Sequence, residues 1–310
     1  MANGSVMNNN LKSIMIYRSY TNNTNLSSTE WLPPSQFKVG IDNTSPSVSD
    51  IDLSMPIPIS NGIINDTGEN TMTGSNGGNN TTDNTSVYKI GASLMDNTGQ
   101  NLNVNNTNAN KTWLISNLAT NGVVIDKTKY VGFWLYIKDQ TTLDYFLNSG
   151  TCLEARFEVD SSNYFKLTYE KTNLSIGWNW INSNKILVEN LTETGTIGTS
   201  TISGFRIIII TNNATDEWNE GDVVFDLLRQ WSDSDLLKNF ENGYPSINTL
   251  TFEATTRGYL SSVEANGFNL NAIGSFNKDS SIKMTSTSVF IQESKSDTDE
   301  FAFIEVDRLI

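Results

Sequence analysis

Histidine is absent from the sequence and cysteine occurs once, and each shortage removes a class of chemistry. Without histidine the chain lacks the commonest general base and the commonest zinc ligand, and every Ser-His or Cys-His catalytic arrangement is excluded. The single cysteine, Cys152, permits no internal disulfide. Because it lies in the strand-like run 151–159 next to Leu153, we interpret it as a packed thiol rather than a nucleophile.

Basic residues are scarce as well. The chain has 20 Lys and Arg against 34 Asp and Glu, a formal net charge of −14, and no two basic residues are adjacent. Nucleic-acid binding needs clustered basic charge, so this partner is excluded, and an anionic membrane surface is disfavoured for the same reason. Apolar runs such as 207–210 are far too short to span a bilayer, and the sequence does not open on a signal peptide. We therefore expect neither membrane insertion nor a secretion signal.

Asn, Thr and Ser are abundant, and they accompany an aromatic share of 10%. This aromatic share is well above that of disordered chains. Residues 153–160 alternate apolar and charged side chains, which predicts a strand with one face on a core and the other in water. Residues 205–210 are largely apolar, as in a central strand. The sequence therefore predicts an all-β protein in which 87–232 form an antiparallel β-sandwich of the jelly-roll type.

Two segments far apart in the sequence carry motifs that occur together in one family. In 39–53, a glycine-containing strand precedes a turn of the form Ser-Pro-x-x-x-Asp-x-x-Leu. Residues 259–277 contain a strand, a Glu-Ala-Asn-Gly turn at 264–267 and a strand start at 274–276, and a hairpin follows at 290–301. With these motifs the two segments resemble the two halves of a β unit, with its closing hairpin, in structural proteins of tailed-bacteriophage virions.

This resemblance implies a discontinuous organisation, in which the sandwich is inserted into a second, small β-domain built from both ends of the chain. Such an insertion is tolerated where the ends of a surface loop lie close together. We expect an extended N-terminal arm to become ordered against a neighbouring subunit. The implied boundaries are 1–36 for the arm, 37–74 and 248–310 for the discontinuous scaffold domain, 75–86 for a linker, 87–232 for the inserted jelly roll and 233–247 for a connection.

Residues 221–231 have the pattern Gly-Asp-x-x-x-Asp of a closing strand. In this pattern the middle of the chain resembles carbohydrate-binding, concanavalin-like jelly rolls. This resemblance implies that Asp222 and Asp226 are candidate ligands of a structural calcium ion, and we expect no other cofactor. The alternative is that these carboxylates stabilise turns by accepting hydrogen bonds from backbone N–H groups.

Tryptophan is concentrated in the same region, since six of the seven lie between 113 and 231. Trp178, Trp180 and Trp218 have loop-like sequence contexts, so they are the candidate carbohydrate-binding residues. The alternative is that their rings pack in a core or at a subunit contact, as large aromatic side chains often do.

Carboxylates are the only abundant acid–base groups. Glu154 and Glu158 share the polar face of one strand and are about 13 Å apart by strand rise, which exceeds the separation in either glycosidase geometry. A residue of another strand, such as Glu170, could shorten that distance. We interpret these side chains as a solvated sheet face and expect no catalytic activity.

Together these features predict a non-catalytic structural component of a bacteriophage virion, in a tail, baseplate, collar or fibre position. We expect it to dock through the split domain and the arm onto other virion proteins and onto copies of itself. The jelly roll would face outward and could adhere to host-surface glycans. A capsid decoration or head-fibre protein would use the same parts. A free carbohydrate-binding protein and a polysaccharide-degrading enzyme are the alternatives from other classes.

Overall fold

The chain is all-β in its computed structural model, which describes residues 6–7, 34–41, 45–47, 49–60, 63–65, 72–79, 81–84, 99–105, 107–118, 124–241, 246–248, 253–277, 284–296 and 298–308. These residues form twenty strands and one short helix, α1 (Gln140–Tyr145). The strands are β1 (Val6–Met7), β2 (Pro34–Gly40), β3 (Ile63–Asn65), β4 (Thr73–Ser75), β5 (Thr82–Asn84), β6 (Gly99–Asn101), β7 (Asn110–Ile115), β8 (Tyr130–Ile137), β9 (Thr151–Asp160), β10 (Asn163–Glu170), β11 (Gly177–Asn182), β12 (Thr192–Thr194), β13 (Gly204–Ile210), β14 (Val223–Trp231), β15 (Lys238–Asn239), β16 (Ser246–Asn248), β17 (Glu253–Leu260), β18 (Phe268–Asn277), β19 (Met284–Lys295) and β20 (Phe301–Arg308). No helix in this part of the chain is long and apolar enough to cross a membrane.

The chain divides into two compact units. The first contains Met1–Asn61 and Asp233–Ile310, and the second contains Gly62–Ser232. The first unit is therefore made from both ends of the sequence. Its strands β2 and β18 pair antiparallel, with Val39 opposite Ile273.

The second unit begins earlier than the sequence suggested. Residues 75–86 were interpreted as a linker, but β4 pairs with β7 and β5 pairs with β6 inside this unit. The polar composition concealed a turn: Asn76 and Gly77 have φ angles of 47° and 92°, and the amide of Gly78 donates to the carbonyl of Ser75. An Asn-Gly pair with two positive φ angles is the favoured two-residue connection of a tight turn. The linker interpretation is therefore wrong for these residues.

The second unit is a β-sandwich of two antiparallel sheets. One sheet has the strand order β12-β10-β9-β13-β7-β4, and the other has the order β11-β8-β14-β6-β5, with β3 also paired to β14. Phe133 of β8 and Phe205 of β13 meet between the sheets, with ring centroids 5.4 Å apart. Apolar side chains of both sheets form one continuous buried core around them.

The alternating pattern of 153–160 is confirmed in β9. Leu153, Ala155 and Phe157 enter the core, so the charged side chains between them lie on the opposite face. The largely apolar β13 lies between β9 and β7, as a central strand.

The first unit contains a five-stranded sheet of order β1-β19-β18-β2-β15 and a three-stranded sheet of order β16-β17-β20. Phe37 of the first sheet packs edge-on against Phe303 of the second at 4.9 Å. Within the predicted arm, β1 pairs with β19 of its own chain. The rest of the arm before residue 34 lies outside the described residues.

Candidate functional site

An aromatic layer lies on the outer face of the β11-β8-β14 sheet. The odd-numbered side chains of β8 from 131 to 137 enter the core, so the even-numbered ones lie on the outer face. The register adds tryptophans from both neighbouring strands, with Trp180 opposite Trp134 and Trp231 opposite Tyr130. The layer consists of Tyr130, Trp134, Tyr136, Trp178, Trp180 and Trp231, whose neighbouring ring centroids are 5.0–6.3 Å apart.

The aromatic layer is mostly buried. Trp180 is 8% exposed and stacks on Trp231 at 5.7 Å. A ring that stacks on a sugar must present a face to solvent, so the carbohydrate-binding prediction is wrong for Trp180 and its packing alternative describes it. Trp178 is only partly buried, beside Tyr136 at 5.4 Å. Among the predicted sugar-binding residues, Trp178 is the one that retains accessible ring surface.

Trp218 lies in the core of the sandwich. Its ring stacks on Phe146 at 6.0 Å, and its Nε1–H donates to the carbonyl of Leu102 at 2.7 Å. The prediction that Trp218 binds carbohydrate is therefore wrong. The polar residues around it in the sequence suggested a surface loop, whereas this segment folds inward and a backbone carbonyl satisfies the indole N–H.

The two predicted calcium ligands have different surroundings. The Asp222 carboxylate accepts hydrogen bonds from Lys138 Nζ at 2.6 Å and from the Asn219 amide at 2.8 Å. Asp226 is 1% exposed and lies opposite Trp134, within the aromatic layer. In the described ranges, no group of three or more Cys, Asp or Glu side chains could hold a metal ion. Asp222 therefore stabilises a turn, which was the alternative interpretation.

The opposite sheet carries an ionic face, formed by Glu154, Arg156, Glu158, Lys166 and Arg206. The two glutamates have different partners. Arg206 donates to both oxygens of Glu158, at 2.5 and 3.1 Å. Glu154 pairs with Arg156 and, at 3.5 Å, with Lys166. These contacts cross three strands, since β9 lies between β10 and β13.

The ionic face does not have the geometry of a glycosidase. Such an enzyme needs one protonated acid and one free carboxylate on either side of the substrate bond. Here each glutamate is bound to a guanidinium group, and the side chain of Glu158 is 4% exposed. The charged side chains do share one face of the strand, as predicted. The prediction that this face is solvated is wrong for the two carboxylates, which are largely covered by their partners. The alternating sequence pattern identified both glutamates. Arg206 contacts Glu158 because β13 pairs with β9, and no local pattern reveals that pairing.

Two buried groups that could act as nucleophiles are held in structural roles. Burial raises the pKa of the Cys152 thiol to about 11, so it is a packed thiol at neutral pH. Lys111 is fully buried, and its amine donates to the carbonyls of Asn105 and Ala214. Burial also lowers the pKa of Lys111, against the attraction of Asp216 and Glu217. Its two hydrogen bonds hold loop backbone on both sides of β7.

The first unit has two concave sites. A cavity of about 80 Å³ beside Leu53 and Val289 is smaller than the usual ligand pocket. A depression of about 380 Å³ is lined by Asp235, Lys238 and Glu264 among others. Its charged groups bind one another, because Lys238 pairs with Glu264 and Asp235 accepts from a serine hydroxyl.

No family model matches the chain, and no curated protein matches it. Among solved structures, the chain is similar to one described as "Biofilm associated protein - BSP domain", with 13% sequence identity and a TM-score of 0.21. The similarity covers 80% of this chain and 51% of the other, so the chain spans about half the length of that structure. A TM-score of this size carries no argument about fold or function.

Proposed function

We propose that this chain is a non-catalytic structural component of a bacteriophage virion, in a tail, baseplate, collar or fibre position. The first unit would dock onto other virion proteins and onto further copies of the chain. The sandwich would be the domain displayed outward, with the topology of a jelly roll.

One observation carries this role: the two segments that resemble virion proteins lie on adjacent strands of one sheet. Val39 and Gly40, at the start of the first segment, are opposite Ile273 and Ala272 of the second. These strands are separated by more than two hundred residues of sequence, and the unit they build is distinct from the sandwich. A split domain that holds an inserted one is the arrangement that the resemblance implies.

The chemistry of the sandwich supports a structural role as well. Glu154 and Glu158 are in ion pairs, the thiol of Cys152 is buried and the amine of Lys111 holds loop backbone. Each of these four groups is engaged in holding the fold. The proposal therefore assigns no reaction to this chain.

The test is the composition of purified particles from a phage that encodes the chain. We expect the chain to co-sediment with infectious virions in a density gradient, in a fixed ratio to the major capsid protein. Gold-labelled antibody should bind one defined position on the particle, and a position on the capsid would favour a decoration or head-fibre role. Absence of the chain from washed virions would contradict the proposal.

We also propose that the sandwich adheres to glycans, and the partial exposure of Trp178 favours this proposal. Trp178 is partly exposed, its ring lies beside Tyr136, and Ile176, two residues earlier in the chain, is 50% exposed. A glycan array probed with the whole chain tests it. We expect binding that is lost in Trp178→Ala and kept in Trp218→Phe, because Trp218 is internal. Binding to no glycan, or binding that Trp178→Ala leaves unchanged, would contradict adhesion through this ring.

A further inference from the structure

We propose that Lys295 and Asn266 become joined by an intramolecular isopeptide bond. Nζ of Lys295 lies 2.6 Å from Oδ1 of Asn266, and each of the two side chains is 1% exposed. The amine is therefore held against the amide carbonyl inside the protein, at the point where β18 begins and β19 ends.

The backbone fixes both partners in place. In the β18–β19 register Lys295 is opposite Phe268. Phe268 follows Asn266 by two residues, so the pairing brings Lys295 close to Asn266. The amide of Gly267 donates to the carbonyl of Lys295 at 2.8 Å. On either side of Asn266, Ala265 and Gly267 have φ angles of 52° and 79°, which is the geometry of a tight turn.

The side-chain amide is oriented as well. Nδ2 of Asn266 donates to the carbonyl of Ser262 at 2.7 Å. This contact turns the amide so that its oxygen faces Lys295. Reactive groups held in one orientation react as if at very high concentration, because the entropy of bringing them together is already lost.

The reaction is a transamidation that consumes no oxidant and no cofactor. Nζ of Lys295 attacks Cγ of Asn266, so an Nζ–Cγ bond forms and the Cγ–Nδ2 bond breaks. Two of the three protons of the lysine ammonium leave with Nδ2 as an ammonium ion. Burial disfavours the charged form of an amine and so favours the nucleophilic one. The carboxylate of Asp299, held by Ser296, interacts electrostatically with Lys295 and is a group that can accept a proton on the way.

Such a bond would have a clear structural purpose in this chain. It would close a loop across 29 residues and restrict the unfolded chain, as a disulfide does. With Cys152 as its single cysteine, the chain has no internal disulfide available. An amide needs no oxidising compartment to form.

Mass spectrometry of the denatured full-length protein tests the proposal. We expect the intact mass to be lower than the sequence mass by one ammonia. After trypsin digestion, residues 258–278 should be recovered covalently joined to residues 284–308, with no cleavage after Lys295. Lys295→Arg and Asn266→Ala should each restore the full mass and separate the two peptides.

One competing reaction also releases ammonia. Asn266 precedes Gly267, and an Asn-Gly pair can cyclise to a succinimide without any lysine. Lys295→Arg distinguishes the two, because a succinimide would still form in that variant and would join no peptides. Lys38→Arg is the matched control. Lys38 lies 2.9 Å from Asp52 in a more exposed ion pair, and its replacement should leave the joined peptide unchanged.

An intact mass equal to that of the sequence would overturn the proposal, and so would a loss of ammonia without the joined peptide. Both readouts are taken on the wild-type chain, so the outcome does not depend on whether a variant folds.

Discussion

The two units of the chain fill their interiors with different chemistry, as a comparison of β8 with β19 illustrates. All eight residues of β8 are buried, and its core-facing side chains are Val131, Phe133, Leu135 and Ile137. In β19 the buried segment is Met284–Thr287, three of whose four side chains carry hydroxyl groups. The sandwich is thus held by apolar packing, whereas the first unit relies more on buried polar contacts.

Glu305 is the clearest of these contacts. It extends from β20 to the neighbouring sheet, where the hydroxyls of Ser275 and Ser286 donate to its two oxygens. Apolar burial is non-directional, so its loss scales with the area removed. A buried polar network depends on every member, because a group left without its partner keeps the full cost of desolvation. The two units should therefore respond differently to small changes.

The largest effect is expected from Phe205→Ala in the sandwich. Phe205 is fully buried, with Phe133, Phe157 and Phe225 at ring-centroid distances of 5.4–5.7 Å. Removing a buried phenylalanine ring costs about 3–5 kcal/mol of unfolding free energy, since transfer and cavity terms add. Urea denaturation followed by tryptophan fluorescence measures it. Ile208→Ala, on the half-buried face of the same strand, is the control and should cost clearly less; equal losses would contradict the assignment of the core face.

A smaller but disproportionate effect is expected from Glu305→Ala in the first unit. The substitution removes few apolar contacts, but it leaves the hydroxyls of Ser275 and Ser286 buried without their acceptor. The expected cost is about 1–3 kcal/mol. Amide hydrogen exchange in β18 and β20 measures it locally. Ile304→Ala removes a larger apolar side chain that is 64% exposed, and should change exchange little. The comparison between the units fails if Ile304→Ala proves the more damaging of the two.

The same contrast explains which parts of the fold the sequence could predict. The period-two pattern of β9 depends only on the local chain, so the core positions of Leu153, Ala155 and Phe157 were predictable. The strand with Thr285, Ser286 and Thr287 shows no such alternation, because hydroxyl groups are compatible with either face. Its burial follows from contacts with distant residues such as Glu305.

The candidate site was harder to predict for a related reason. Trp218 has polar neighbours in the sequence, and nothing local shows that its indole N–H meets the carbonyl of Leu102. The glutamates of β9 were identifiable, but Arg206, the partner of Glu158, comes from β13, 48 residues further along the chain. Pairing between distant strands decides both cases, and one sequence does not contain that information in any local pattern.

A further prediction for the first unit concerns how the contribution of Glu264 to the free energy of unfolding depends on pH. The expected effect is smaller than that of Glu305→Ala. Burial opposes the ionisation of Glu264, but hydrogen bonds from Lys238 and Ser261 outweigh it and hold its pKa below the ordinary value of 4.5. A depressed pKa contributes stability above the ordinary value, and that contribution is lost as the pH falls through the lower pKa of the folded state. The difference in unfolding free energy between wild type and Glu264→Gln should therefore be largest near neutral pH and should shrink below pH 4.5.

Urea denaturation at a series of pH values measures this difference. Glu293→Gln, at an exposed position of β19, is the control, because replacing an exposed glutamate should change the free energy of unfolding little. A difference for Glu264→Gln that grows as the pH falls would contradict the sign.

The smallest effect is expected from Lys166→Ala, although this residue lies on the same ionic face as Arg206. The lysine side chain is 29% exposed and its Nζ lies 3.5 Å from Glu154, which keeps Arg156 as a second partner. A partly exposed pair of this kind contributes about 0–1 kcal/mol, because solvent screens it and the long side chain loses entropy on pairing. Arg206→Ala is the matched variant and should cost more, because Glu158 would remain buried without its guanidinium. Equal losses in urea denaturation would mean that burial of the carboxylate does not decide the strength of these pairs, and the ionic face would then have to be treated as a solvated surface.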